Sequence, residues 1–291
     1  AAAGVSAVAE KGDVMKIGAA MFFTDYSMMP GELARALEER GFDSVWAPEH
    51  SHIPLSRKTP FPGGGDLPKK YYDAMDPFVT LTAAAAATTT LKVGTGVCLV
   101  NQRDPIQTAK AVASLDLLSG GRFLFGVGNG WNQDEMENHG TVFTTRHKLV
   151  RERIEAMKAL WTNSKAEYHG EMVAFDPVMA WPKPVQKPHP PILVGGAFPW
   201  GARRAIRYGN AWMPLRRREV REVLPQFRDM CRAAGLAPLP VSIWEAREDL
   251  DSLKRDRDAG VDRVIVSLDS AKADVILPLL DRWATLIGAL S

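Results

Sequence analysis

Short apolar runs alternate with amphipathic stretches along most of the chain, and this alternation predicts eight strand-helix units. Met15 to Phe22 reads as a first strand. Pro30 to Arg40 reads as a helix, with proline at its first position, Leu33 and Leu37 one turn apart, and Gly41 as its stop. Ser44 to Ala47 is a second strand and Lys92 to Val100 a third. Asp76-Pro77 and Asp104-Pro105 pair a capping carboxylate with a helix-starting proline. The alanines Ala83 to Ala87 would let the first of these helices lie close on a sheet. In the second, Ile106, Ala109, Ala113 and Leu117 run down one face to the glycine stop Gly120-Gly121. A fourth strand, Phe123 to Val127, exits through Gly128, Asn129 and Gly130, where a backbone can closely approach a flat or anionic group. A helix from His147 to Trp161 follows. The remaining strands are Pro191 to Gly196, Ala211 to Pro214, Val241 to Trp244 and Arg263 to Leu268, with helices at Trp200 to Tyr208, Val220 to the stop at Gly235, Leu250 to Ala259 and Val275 to Ile287.

Two stretches break the rhythm. Ile53 to Tyr72 is long, aperiodic and rich in Pro and Gly, which suits a lid. Between 163 and 190 a short hairpin, Tyr168 to Phe175, precedes Trp181-Pro182-Lys183-Pro184-Val185-Gln186-Lys187-Pro188, which cannot be helix. The expected fold is therefore α/β: a single (β/α)8 TIM barrel over 15–291, with insertions after strands 2 and 4 and a loose tail at 1–14. The alternative, an open doubly wound sheet, fits less well with units spaced at about thirty residues and no mid-chain linker.

Composition narrows the partners rather than the fold. Lys and Arg total 36 against 34 Asp and Glu in 291 residues, so no global field favours nucleic acid or an anionic membrane. Cys98 and Cys231 form neither a disulfide framework nor a metal-binding spacing, and no apolar window approaches the about eighteen residues of a membrane span. A reduced, cytoplasmic setting is expected.

In a barrel, function gathers where the strands end. Those exits are Phe23-Thr24, Glu49-His50, Thr95-Gly96-Val97, Asn129-Gly130-Trp131, Gly195-Gly196-Ala197 and Pro214. Gly195-Gly196 leads through Ala197-Phe198-Pro199 into a helix whose free N–H groups suit a phosphate. Gly126 to Trp131 is not a dinucleotide fingerprint, because Trp131 stands where the third glycine belongs and no helix is expected there. Glu49, His50 and His52 invite a metal reading, but only two of them would share a face and no matching ligands stand at the other exits. His50 suits a proton donor or hydrogen-bond partner. Arg216 to Arg218, with Arg57, Lys58, Lys69 and Lys70, offers a basic rim for a polyanionic tail, or else solvated surface.

Several segments together resemble the bacterial luciferase-like superfamily. They are Trp46-Ala47-Pro48-Glu49-His50, Val93-Gly94-Thr95-Gly96-Val97, Arg103-Asp104-Pro105, Leu115 to Arg122, Gly126 to Trp131 with Glu135, and Trp181-Pro182-Lys183-Pro184 before Val194-Gly195-Gly196. Within that superfamily the chain is most similar to the actinobacterial branch of oxidoreductases dependent on the deazaflavin coenzyme F420. The resemblance implies hydride transfer between F420 and a small or medium organic substrate. It places Glu49 and His50 near the reactive ring, with Thr95, Gly96, Val97, Asn129, Gly130 and Trp131 around it and Gly195, Gly196 and Ala197 toward the phosphate. It also implies a non-proline cis peptide at Gly96-Val97 and a possible homodimer. Phe22, Phe23, Met28 and Met29 would help build the pocket. Trp131 replaces the acid of the sugar-phosphate dehydrogenase branch, so that substrate is not implied. The rivals are an FMN-dependent monooxygenase on the same barrel, a non-catalytic cofactor carrier and, more distantly, a metal-dependent isomerase.

Overall fold

The computed structural model describes residues 15–216 and 220–290, so the expected tail at 1–14 and the arginines at 217 and 218 lie outside the described residues. Its strands are β1 (Lys16–Met21), β2 (Ser44–Ala47), β3 (Lys92–Thr95), β4 (Cys98–Leu99), β5 (Phe123–Gly128), β6 (Ala166–His169), β7 (Ala174–Val178), β8 (Ile192–Gly195), β9 (Ala211–Met213), β10 (Ser242–Trp244) and β11 (Arg263–Leu268). Its helices are α1 (Pro30–Glu39), α2 (Pro77–Ala86), α3 (Pro105–Leu118), α4 (Gln133–Asn138), α5 (Arg146–Thr162), α6 (Trp200–Tyr208), α7 (Val220–Ala233), α8 (Leu250–Asp258) and α9 (Ala273–Leu290).

The order β10-β11-β1-β2-β3-β5-β8-β9 is parallel throughout, and β4 continues the line of β3 alongside β5. Parallel bridges Trp212↔Val241 and Leu215↔Trp244 close the remaining gap between β9 and β10, so the expected eight-position barrel forms. β6 and β7 pair antiparallel as the hairpin of the second insertion. The first insertion carries only a single helical turn, Lys69–Tyr71.

The third expected strand is split. Gly94 pairs with Leu124, but Cys98 pairs with Val127, so β3 and β4 spend three residues where β5 spends two. The extra residue sits at Thr95-Gly96-Val97, where the Gly96-Val97 peptide is cis. Two expectations about helices also shift. A short helix, α4, begins just after Trp131, in a stretch read as irregular because its polar sequence QDEMEN carries no apolar period. Asp76 and Asp104 do cap α2 and α3: the Asp76 carboxylate accepts from the backbone N–H groups of Phe78 and Val79, and that of Asp104 from Gln107.

Two apolar layers result. The larger lies between helices and sheet. The smaller fills the barrel, where Trp46 packs with Ala20, Leu124, Leu193, Met213 and Ile265. Trp46 is wholly buried, and its indole N–H donates to the Ser44 hydroxyl at 2.9 Å. Glycine makes its space: a Cβ on Gly94 would lie 2.5 Å from the Trp46 ring.

At the lower end, Glu38 of α1 ties down the turn before β3. Its carboxylate accepts from the backbone N–H groups of Thr89, Thr90 and Leu91 and from the Thr90 hydroxyl. Desolvation works against the charged form, but these donors outweigh it and bring the carboxyl down to about 2.

Two outcomes are expected. Gly94→Ala should lower unfolding stability by about 1–3 kcal/mol in urea titration, because the Trp46 ring has no slack to receive a methyl group. Glu38→Gln should be less stable than the parent above pH 4.5, the ordinary carboxyl value. The difference should vanish as pH falls toward 2, since a depressed carboxyl contributes only while ionised.

Candidate active site at the barrel mouth

Glu49 and His50 leave β2 together, but their side chains do different jobs. Glu49 is buried and both of its oxygens are engaged: one accepts from the Leu99 N–H at 2.6 Å, the other from Arg103 Nε at 2.5 Å. Arg103 reaches on to Asp76, the cap of α2. Burial pushes the Glu49 carboxyl up, and the Arg103 charge and the Leu99 N–H oppose that push. Glu49, expected near the reactive ring, thus spends its carboxylate on the wall. It also helps push the neighbouring Cys98 thiol well up, after the larger effect of burial, so that thiol is unreactive.

His50 instead meets Glu135 of α4, with its Nδ1 2.8 Å from Oε2. The Glu135 side chain is fully buried, and its Oε1 has no hydrogen-bond partner. His50 Nε2 makes no hydrogen bond among the described residues. Rings enclose the imidazole: Tyr71 at 5.3 Å and Trp131 at 6.2 Å between centroids. Phe22 stacks on Tyr71 at 4.5 Å, and Phe61 bridges Tyr71 and Trp131. Of the expected pocket residues only Phe22 joins this group. Phe23 and Met28 are core, and Met29 is exposed.

The loop after β2 is held over the mouth by polar ties to the segment around α4. The Asp134 carboxylate accepts from the Ser56 hydroxyl and the Lys58 N–H, and Thr59 donates to the Trp131 carbonyl. His52 is drawn away to Ser51 and Asn138. Among the described residues no group of three His, Cys, Asp or Glu converges as a metal site.

The expected cofactor residues form one continuous edge. Thr95 donates its hydroxyl to the Gly126 carbonyl at 2.7 Å, and Gly96 faces inward under Trp244, 2.2 Å from where its Cβ would stand. Val97 projects at the centre of the mouth, over Gly128 and beside Gly195. Gly130 turns with φ +67, and the buried Asn129 amide nitrogen has no hydrogen-bond partner. Gly196 has φ +125, a conformation that favours glycine, and a Cβ there would lie 2.7 Å from an Arg204 guanidinium nitrogen. The Gly196 carbonyl accepts from the Trp212 indole, and Ala197 is exposed at the start of α6.

Beside Gly196 lies a cationic cluster that sequence reasoning missed. Arg146 and Arg204 are half-buried, carry no ion pair among the described residues, and each has a buried Nε without a partner. Desolvation, and for Arg146 the nearby Arg204, pull these guanidinium groups down. His147, exposed along one edge, is pushed down to about 4 by desolvation first and then by both arginines. The Tyr208 hydroxyl, which faces the Asn129 amide, is pushed up to about 12 by burial, against the opposing pull of the Arg204 charge and of Asn129. Two like charges held together without a carboxylate mark a place for an anion. The sequence showed these cations only as scattered helix residues, because α5 and α6 meet only in the fold.

The expected basic rim dissolves in part. Arg216 is buried against Asp256, Lys58 pairs with Glu137, and Lys69 pairs with Asp73. Among the described residues of that rim, Arg57, over Trp131, and Lys70, over Phe22, still flank the mouth as expected.

A family model described as luciferase-like monooxygenase matches residues 30–247. The chain belongs to that family. A protein of Mycobacterium tuberculosis H37Rv of uncharacterised function is 40% identical over 93% of this chain and 98% of its own. An F420-dependent hydroxymycolic acid dehydrogenase of the same organism is 29% identical over 70% of this chain and 54% of its own. An FMNH2-dependent dimethylsulfone monooxygenase of Pseudomonas putida is 35% identical, over 40% of this chain and 32% of its own. Among solved structures, an F420-dependent secondary alcohol dehydrogenase bound to an F420–acetone adduct has the same luciferase-like barrel. Its TM-score is 0.72 at 19% identity, over 95% of this chain and 99% of that one.

Glu49→Gln should lower stability by about 1–3 kcal/mol, since it takes the charge from a buried hydrogen-bonded pair while Arg103 keeps Asp76. Thermal unfolding should show this loss whether or not a cofactor is present.

Proposed function

We propose that this luciferase-like protein is an F420-dependent oxidoreductase. The observation that carries the reading is the pairing of two devices across one mouth: an anion seat at Gly196, Arg146 and Arg204, and a histidine held by a buried carboxylate at His50 and Glu135. The seat fits a cofactor phosphate. Its guanidinium Nε atoms are orphaned, the strand exit is glycine, and α6 begins with no side chain capping its N–H groups. Between the two devices the edge is small and flat, with Gly128, Asn129 and Gly130 beside Val97, as a planar ring requires. The buried Asn129 amide and Tyr208 hydroxyl, which face each other, supply polar groups for its rim. When bound, the deazaflavin supplies a carbon centre that gives or takes a hydride.

The protein's own part is positional and protonic. Glu135 holds His50 by Nδ1, which leaves Nε2 to give or take the proton that balances hydride movement at a substrate oxygen. The aromatic enclosure of Tyr71, Trp131 and Phe61 excludes water from that exchange. This proton device favours F420 over the rival FMN-dependent monooxygenase, while the relatedness to an FMNH2-dependent enzyme keeps that rival testable.

Purified protein titrated with oxidised F420 and with FMN should quench F420 fluorescence saturably and bind FMN far more weakly; tight FMN binding without F420 binding would overturn the reading. Arg204→Gln should weaken F420 binding about tenfold or more. His50→Ala should bind F420 normally and lose roughly a hundredfold in F420-coupled turnover of secondary alcohols or ketones.

A further inference from the structure

The two rim cations that remain among the described residues stand on the opposite side of the mouth from the anion seat. The seat belongs to β8, α5 and α6; Arg57 and Lys70 belong to the loop after β2, with β3 and β5 intervening in the strand order. A phosphate held at Gly196 therefore leaves Arg57 for something else. Its guanidinium lies 5.4 Å from the Trp131 ring centroid, and Trp131 is one of the rings enclosing His50. Lys58 and Lys69 of the same loop are neutralised by Glu137 and Asp73, whereas Arg57 makes no ion pair among the described residues.

Arg57 also lines a cavity of about 520 Å³, together with Phe61, Asp66, Leu67 and Tyr72. That volume lies within the range of small-molecule sites. Phe61 is common to the cavity and to the enclosure, because its ring also contacts Trp131 and Tyr71 at 5.7 and 5.2 Å. Glycine permits this placement: a Cβ on residue 63 would stand 2.3 Å from the Phe61 ring. The lining thus sets aromatic faces beside one cation that has no ion pair among the described residues and one carboxylate, so that a single negative charge can rest on Arg57 while Asp66 opposes a second.

We propose that the substrate is a carboxylate monoanion with an aromatic or similarly flat apolar body. Its carboxylate rests on Arg57, and its body lies on Phe61, Leu67 and Tyr72. This rests on the oxidoreductase reading for the meaning of the site, but its test does not depend on the cofactor. Arg57 sets substrate choice, and the Arg146 and Arg204 seat sets cofactor retention.

Calorimetric titration of the full chain with 3-phenylpropanoate, 3-phenylpropanamide and triglutamate, with and without F420, tests this. The acid should bind with one-to-one stoichiometry and about tenfold more tightly than the amide. Arg57→Gln should erase that difference, Arg57→Lys should retain part of it, and F420 affinity should be unchanged in both. Circular dichroism should show both variants folded, since Arg57 is exposed. Equal binding of acid and amide, no binding of either, or an Arg57→Gln variant that still discriminates would overturn the proposal. Displacement of the acid by triglutamate would overturn it too, by giving this face to a polyanionic tail. Discrimination between acid and amide in a protein that binds no F420 would uphold the carboxylate site and sink the cofactor reading alone.

Discussion

A buried carboxylate with no freedom organises the mouth of this barrel. Glu49 reaches from the end of β2 to the Leu99 N–H on β4 and to Arg103 beyond it. Taking that charge out of water is costly, and the cost is offset only while both partners stay in place. The requirement fixes where β4 resumes after the one-residue slip at Thr95-Gly96-Val97, and hence where Val97 projects. It also fixes the peptide that follows, so His50 leaves the wall at a defined point and meets Glu135. One carboxylate, Glu49, ties the wall, and another, Glu135 on a different element, meets His50.

Below that level the barrel is held by packing of one large ring among small residues. Trp46 occupies the interior because Gly94 and Ala20 concede the volume. Above it the polar groups are sorted by side. Cations without carboxylates gather at α5 and α6, while the loop after β2 pairs Lys58 with Glu137 of α4 and Lys69 with its own Asp73 and leaves Arg57 out. Strand order alone separates these two electropositive places. On the proposed reading, one serves a phosphate and the other a singly charged molecule.

Much of the fold was legible because its signals are local. Proline after aspartate starts α2 and α3, paired glycines stop α3, and the run Arg263–Leu268 is a strand buried enough to read without its neighbours. The glycine exits at Gly128 to Gly130 and Gly195-Gly196 were visible too, because a small residue at a strand end constrains the backbone wherever the chain goes next. The helix α4 was not legible, since its polar sequence is stabilised by contacts to the loop after β2 rather than by an apolar face of its own. The basic rim misread Arg216 for the same reason: its partner, Asp256, lies forty residues away on α8.

The sequence by itself determined the alternation of strands and helices and the glycine exits, because propensity, capping and backbone freedom act over a few residues. Only the tertiary structure decided which charges are spent and which are left. It turned Glu49 into a wall residue, gave His50 a partner in Glu135, and joined Arg146 to Arg204 across two helices. The physical reason is that burial and Coulomb interaction depend on distance in space, and closing the barrel brings together residues that the chain keeps far apart.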